Sequence, residues 1–167
     1  DGMDKFGIEG AYFSDIANLN GYQAFEPDTI RNFSVGPQIA MQFYRHYMYT
    51  CDMDFLKTRA YPVMKACAQF YCGLLEKTKG RYSIKEGSTP YESDWNLKRT
   101  VTDYAAIIEL FTALIGLSQI LDIEENLIKK WKDIIGNIYP LPTTRVKYRG
   151  EEIEIISPGI KWNDEAV

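Results

Sequence analysis

Residues 102–121 read Thr-Asp-Tyr-Ala-Ala-Ile-Ile-Glu-Leu-Phe-Thr-Ala-Leu-Ile-Gly-Leu-Ser-Gln-Ile-Leu, and this stretch decides the fold class. Tyr104, Ile107, Ile108, Phe111, Leu114, Ile115 and Leu121 recur at helical spacing, an apolar arc wide enough for deep burial. Thr102 is placed to cap the start. Asp122 followed by Glu125 repeats a capping pattern. Leu127, Ile128, Trp131, Ile134, Ile135 and Ile138 then carry a further helix that Pro140 and Pro142 stop. The short connection between these two helices predicts an αα-hairpin.

Upstream the same logic gives a second pair. Pro37 fits the first position of a helix, and Ile39, Phe43 and Tyr47, backed by Ala40, Tyr44 and Met48, lie along one face of it. Leu56, Ala60, Val63, Cys67, Phe70 and Leu74 form the next stripe, with Pro62 either kinking it or opening a fresh helix. Between the pairs, residues 78–101 carry Gly80, Gly87 and Pro90 among many polar groups and read as a long functional loop. Downstream, Arg145 to Tyr148 and Glu152 to Ile156 flank Arg149 and Gly150 as a small β-hairpin, the only strand signal. The expected layout is a loop-rich lead-in at 1–36, helical hairpins at 37–139 and the β-hairpin at 143–157. The class is all-α, and no fixed-period repeat is visible.

Bulk properties narrow the partners. The 167 residues fit one domain, and 46% hydrophobic with 25% charged residues exclude a disordered chain. The net charge is −4, and the cluster Lys129, Lys130 and Lys132 alternates with apolar residues as a solvated helix face, so no nucleic-acid partner is expected. No run approaches the roughly 18 apolar residues of a membrane span, and Asp1 to Gly10 lacks the form of a signal peptide. A chain that opens on Asp is read as beginning downstream of its natural start. Cys51, Cys67 and Cys72 lack zinc-site spacing and are expected as core thiols.

Chemistry concentrates in the long loop. Tyr82 to Trp95 reads Tyr-Ser-Ile-Lys-Glu-Gly-Ser-Thr-Pro-Tyr-Glu-Ser-Asp-Trp, bringing carboxylates, hydroxyls and aromatic rings together. Carboxylates accept from sugar hydroxyls, aromatic faces cover the apolar face of a sugar ring, and a carboxylic acid can protonate a glycosidic oxygen. Glu92 is the candidate acid, against the plainer reading of a solvated acidic loop. His46, the only histidine, is either a hydrogen-bonded structural residue or a site residue. Asp52 and Asp54 lack the rest of a calcium loop and are expected as caps. Asp103 either complements the helix dipole or points into a cleft.

His46-Tyr47-Met48-Tyr49-Thr50-Cys51-Asp52-Met53-Asp54-Phe55-Leu56, followed by Ala60-Tyr61-Pro62-Val63-Met64-Lys65 and Phe70, resembles a signature of the six-hairpin glycosidases, with glycoside hydrolase family 95, the α-L-fucosidase-like enzymes, as its nearest member. That family carries a loop of the approximate form Ser-Thr-Ser-Pro-Glu, and Ser88-Thr89-Pro90-Tyr91-Glu92 occupies the corresponding place. An Asp that opens the next helix is matched by Asp103, before Ile107-Ile108 and Leu110-Phe111. The resemblance runs from about Val35 to Leu141. Tyr91 stands between Pro90 and Glu92, Val35-Gly36-Pro37-Gln38 replaces a Trp-rich pattern, and the family's Asn pair has no clear counterpart around Asn18 and Asn20.

The resemblance implies part of an (α/α)6 toroid and an inverting α-glycosidase acting on oligo- or polysaccharide. Glu92 would be the general acid. Tyr91, Trp95, Asp103, Ser88 and His46 would stand around the sugar, with the base supplied from elsewhere in the domain. It further implies a bacterial enzyme, secreted or periplasmic, with no cofactor and no metal. The exposed hairpin faces would be covered by the rest of the catalytic domain or by a second copy. The alternative is a non-catalytic helical module that binds glycans or acts as a scaffold, which the departure at Tyr91 favours.

Overall fold

A computed structural model describes residues 6–16, 19, 31–85, 87–89 and 96–161. Helix α1 spans Val35–Thr50. Helix α2 follows as a short turn Met53–Phe55, a π-helical turn Leu56–Ala60 and the regular length Tyr61–Leu74. Asp52 caps it, its Oδ1 accepting from the Asp54 and Phe55 amides at 2.9 Å each. Pro62 does not break the helix, because it sits in the first turn of the regular length, directly after the wide turn. The buried face of α2 runs through Leu56, Ala60, Met64, Cys67, Phe70 and Leu74, with Val63 only half-buried.

Helix α3, Val101–Leu121, is the core element, as its apolar arc requires. Tyr104, Ile107, Leu110, Phe111 and Leu114 are fully buried against α1, α2 and α4. It is also, by length and composition, apolar enough to cross a membrane, contrary to the reading that no run comes near. Its burial in the helical core, with Asp103 and Glu109 along it, accounts for that composition without a bilayer. Helix α4, Glu125–Asn137, turns Trp131 and Ile134 inward, where Trp131 lies 6.2 Å from the Phe111 ring, and leaves Lys129, Lys130 and Lys132 in solvent. Burying one large side chain of this kind contributes about 2–3 kcal/mol. The hydroxyls of Tyr61 on α2 and Ser118 on α3 meet at 2.7 Å, so the two helix pairs share a satisfied polar contact.

Three local expectations change. Thr102 lies inside α3, and Thr100 holds the N-cap position in extended conformation. Asp122 ends α3 with φ 53°, while Glu124, not Asp122, precedes α4, and neither side chain caps it. Cys67 is a core thiol, pushed up to about 12 by burial, and Cys72 is partly buried, but Cys51 is exposed at the left-handed end of α1.

Two antiparallel hairpins flank the helices. The second, β3 Thr143–Tyr148 with β4 Glu151–Ile156, stands where the sequence placed it, turning through Arg149 and Gly150 at φ 52° and 87°. The first, β1 Leu75–Thr78 with β2 Arg81–Ile84, falls at the start of the expected loop and turns through Lys79 and Gly80 at φ 52° and 81°. Both pairs of positive φ angles are those of a two-residue hairpin turn, where glycine relieves the strain at the second position. The lead-in is held by close backbone approach. Ala11 N–H donates to the Ala66 carbonyl at 2.9 Å, and a side chain on Gly10 would meet Phe70 N at 2.4 Å.

Candidate functional site

The start of α3 draws three chain segments together around one carboxylate. Asp103 stands in the first helical turn, fully buried, and its Oδ2 accepts from the hydroxyls of Ser88 and Thr100. The usual cap is thereby reversed: the Thr100 side chain donates to the residue three positions on, while its carbonyl accepts the first helical bond from Tyr104 N–H at 3.2 Å. Oδ1 finds no hydrogen-bond partner among the described residues, although the Ser34 amide at the head of α1 faces the same carboxylate. Burial therefore dominates and raises the Asp103 acid to about 6, against the opposing hydrogen bonds from Ser88 and Thr100.

Ser88 also belongs to a backbone pair. Its N–H donates to the Leu97 carbonyl at 2.8 Å, and Leu97 N–H returns a bond of 2.7 Å. A single hydroxyl proton cannot serve both Asp103 and the Arg31 carbonyl, 3.0 Å from Ser88 Oγ. Thr89 N–H also donates to that carbonyl at 3.1 Å, so the carbonyl keeps a partner when the Ser88 proton goes to Asp103. Arg31 Nη1 donates to Asn96 Oδ1 at 3.1 Å, and a side chain at Gly87 would collide with that oxygen at 1.8 Å. Beyond the pair, Lys98 bridges to Ile160 and Val101 N–H donates to the Pro158 carbonyl at 2.9 Å, tying this strand to the C-terminal segment.

Of the residues expected around a sugar, the structure brings Ser88 and Asp103 together and buries both, Ser88 to 2% exposure. Asp103 is thus fully buried and accepts from the protein's own hydroxyls. His46 stands apart. It is exposed near the far end of α1, its ring 4.4 Å from that of Phe55, and twelve residues of helix put it about 18 Å along the axis from Ser34. Glu92, Tyr91 and Trp95 lie outside the described residues. Thr100 was missed, although Thr100-Val101-Thr102-Asp103 has the spacing of a capping box.

No group of three or more metal-binding side chains is assembled among the described residues. A hollow of about 720 Å³ lies elsewhere, between the lead-in, α2 and α4, lined by Ile8, Glu9, Lys65, Cys72, Lys130 and Trp131. None of the described candidate residues, His46, Ser88 and Asp103, is among those that line it. Its cations are engaged in part, as Lys65 pairs with Glu124.

The model of the glycosyl hydrolase family 95 catalytic domain matches residues 4–154. Alpha-L-fucosidase 2 of Arabidopsis thaliana is 29% identical over 125 residues, covering 69% of this chain and 14% of that protein. Kojibiose hydrolase of Flavobacterium johnsoniae is 38% identical over 84 residues, 48% of this chain and 12% of that protein. The chain therefore spans about one seventh or less of the curated relatives it matches.

Proposed function

The chain belongs to the glycosyl hydrolase family 95 catalytic domain, and from that premise we propose that it supplies the general acid, Glu92, of an inverting, α-L-fucosidase-like glycosidase. The observation that carries the reading is the match over residues 4–154 together with Ser88-Thr89-Pro90-Tyr91-Glu92 standing just ahead of α3. In the proposed reaction the Glu92 carboxylic acid gives its proton to the glycosidic oxygen as the C–O bond breaks. A water attacks the anomeric carbon from the opposite face and loses its proton to a base. The products are a free sugar of inverted configuration and an alcohol, and Glu92 is left as a carboxylate to be reprotonated. The base belongs, in this reading, to the remainder of the catalytic domain.

Tyr91 and Trp95 are proposed to cover the apolar face of the sugar. The remainder of the domain is also the proposed cover for a groove of about 440 Å³ between α1 and α3, where Met48 and Ile120 are 55% and 58% exposed. A secreted or periplasmic location belongs to the same proposal and rests on the resemblance alone. Tyr91, standing between Pro90 and Glu92, favours the second reading, a glycan-binding or scaffold module without catalysis.

The test is hydrolysis of aryl α- and β-glycosides, α-L-fucoside included, and of kojibiose by the whole protein that carries this chain, with and without Glu92→Gln. Loss of the acid is expected to cost about 10²–10⁴-fold on natural leaving groups and far less on activated aryl groups, which need no proton. An unaffected variant, or no turnover across the panel, moves the assignment to the non-catalytic module.

A further inference from the structure

We propose that a hollow between the first β-hairpin and the head of α3 is a subsite for the oxyanion of an acidic sugar, a uronate carboxylate or a sulfate ester. Oxyanion binding stands on this chain's own residues, and its being carried by a sugar rests on the glycosidase reading. The hollow has a volume of about 240 Å³. That is below the range of about 300–1,000 Å³ usual for drug-sized ligands, so it takes one sugar residue or less. Its walls are tied by backbone bonds: Tyr139 N–H donates to the Tyr82 carbonyl at 3.1 Å, and Lys98 exchanges bonds of 2.7 and 2.8 Å with Ile160. Among the described residues, Glu76 is the one carboxylate on it, against Lys85, Lys98 and Arg99. The lining is therefore cationic in a chain whose net charge is −4.

Two groups on this lining have donors and no acceptor. Arg99 lays its guanidinium over the Tyr139 ring, 4.9 Å from the centroid. Stacking uses the face of a guanidinium and leaves its N–H edge open for a forked pair of hydrogen bonds, which suits a carboxylate or a sulfate. No carboxylate or carbonyl among the described residues takes that edge. Arg99 is also held at φ 49°, left-handed backbone of a kind that clusters at ligand sites when a residue other than glycine keeps it. Tyr104 Oη is buried with no hydrogen-bond partner among the described residues, although the Ile84 amide faces it. Besides the neighbouring Asp103, the groups that act on this phenol are Ile84, Arg99 and Tyr139, and all three line the same hollow, so the hydroxyl stands at its wall. A seated oxyanion accepts from Arg99 and Tyr104 together and leaves neither donor unmet. Lys85 Nζ donates to the Gly73 carbonyl at 3.2 Å, so it contributes mainly charge.

The experiment titrates the whole protein that carries this chain, by calorimetry at low salt, with glucuronate, glucose 6-sulfate, glucose and inorganic sulfate. Three variants are compared: Tyr104→Phe, Arg99→Gln and, as a control that removes one charge from the exposed face of α4, Lys129→Gln. At least one acidic sugar is expected to bind about tenfold tighter than glucose or more, and the tighter of the two identifies the oxyanion. Tyr104→Phe and Arg99→Gln are each expected to weaken that binding about 10- to 100-fold, while Lys129→Gln changes it by less than about twofold. Tyr104→Phe deletes a hydroxyl that has no partner among the described residues, so its Tm is expected to stay level or rise, and it keeps the test decisive if Arg99→Gln folds poorly. No binding of either acidic sugar, equal binding of glucose, or binding that neither variant moves overturns the subsite. Inorganic sulfate bound as tightly as the acidic sugars, and lost in both variants, overturns the sugar and leaves a bare anion site. If Glu92→Gln shows no selective loss of turnover while acidic sugars still bind through Arg99 and Tyr104, the catalytic reading falls and the oxyanion subsite stands.

Discussion

Asp103 and Asp133 collect similar donors and respond in opposite directions. Asp133, on the exposed side of α4, accepts from Tyr82 Oη at 2.7 Å, from Lys77 Nζ at 3.0 Å and from Asn137 Nδ2 at 2.7 Å. The Tyr82 hydrogen bond, then that of Lys77, holds its acid below the usual carboxylate range. Asp103 accepts from two hydroxyls with no cation beside it among the described residues, and burial raises it to about 6. Donor count does not set the sign; access to water does. The same acceptor chemistry is inexpensive at the rim of the first β-hairpin and demanding at the head of α3, so the head of α3 is where a substitution is felt most.

The largest effect is expected for Asp103→Ala, which strips the buried hydroxyls of their acceptor. Chemical denaturation at pH 5 should show a loss of about 2–4 kcal/mol, since Ser88 can turn to the Arg31 carbonyl but Thr100 is left without its acceptor. A loss no larger than that of a surface substitution would erase the contrast between the two aspartates.

The next effect sharpens the sign. The folded acid, at about 6, lies above its ordinary value of 3.8, so the native state binds the proton more tightly than the unfolded chain. Stability should fall as pH rises from about 4 to about 6, by on the order of 3 kcal/mol in all, with the penalty absent below that window and complete above it. Asp103→Asn should flatten this limb of a stability-against-pH curve. A wild-type curve that rises across the window would reverse the assignment.

The smallest effect is expected at the other aspartate. Lys77→Ala should barely move the Tm at low salt, and about 1 M salt, which shortens the screening length to about 3 Å, should remove even that difference. A large, salt-insensitive loss would mean that the Lys77 and Asp133 pair is far less solvated than its 39% and 44% side-chain exposures indicate.

Much of this contrast is written in residue order, and some of it is not. Helices α3 and α4 are legible because their apolar stripes continue over several turns, and β3–β4 because Val146, Ile153 and Ile155 alternate around Arg149-Gly150. The first hairpin offers no such pattern. Leu-Glu-Lys-Thr and Arg-Tyr-Ser-Ile have little β-branched content, and their pairing is supported from outside by Tyr82 against Ile138 and Asp133 at the end of α4. At the candidate site, the composition of the loop and the Asp that opens α3 are legible. The burial of Asp103 is not, because it depends on Ser34, Ser88 and Thr100 arriving from three segments.

The wide turn at Leu56–Ala60 displaces one inward position and no more. Met64 is buried where the count of threes and fours reads Val63, and the helix is back on the same count at Cys67, Phe70 and Leu74. A single half-buried position, Val63, therefore marks the place where a stripe read from residue order and the true inward face part company.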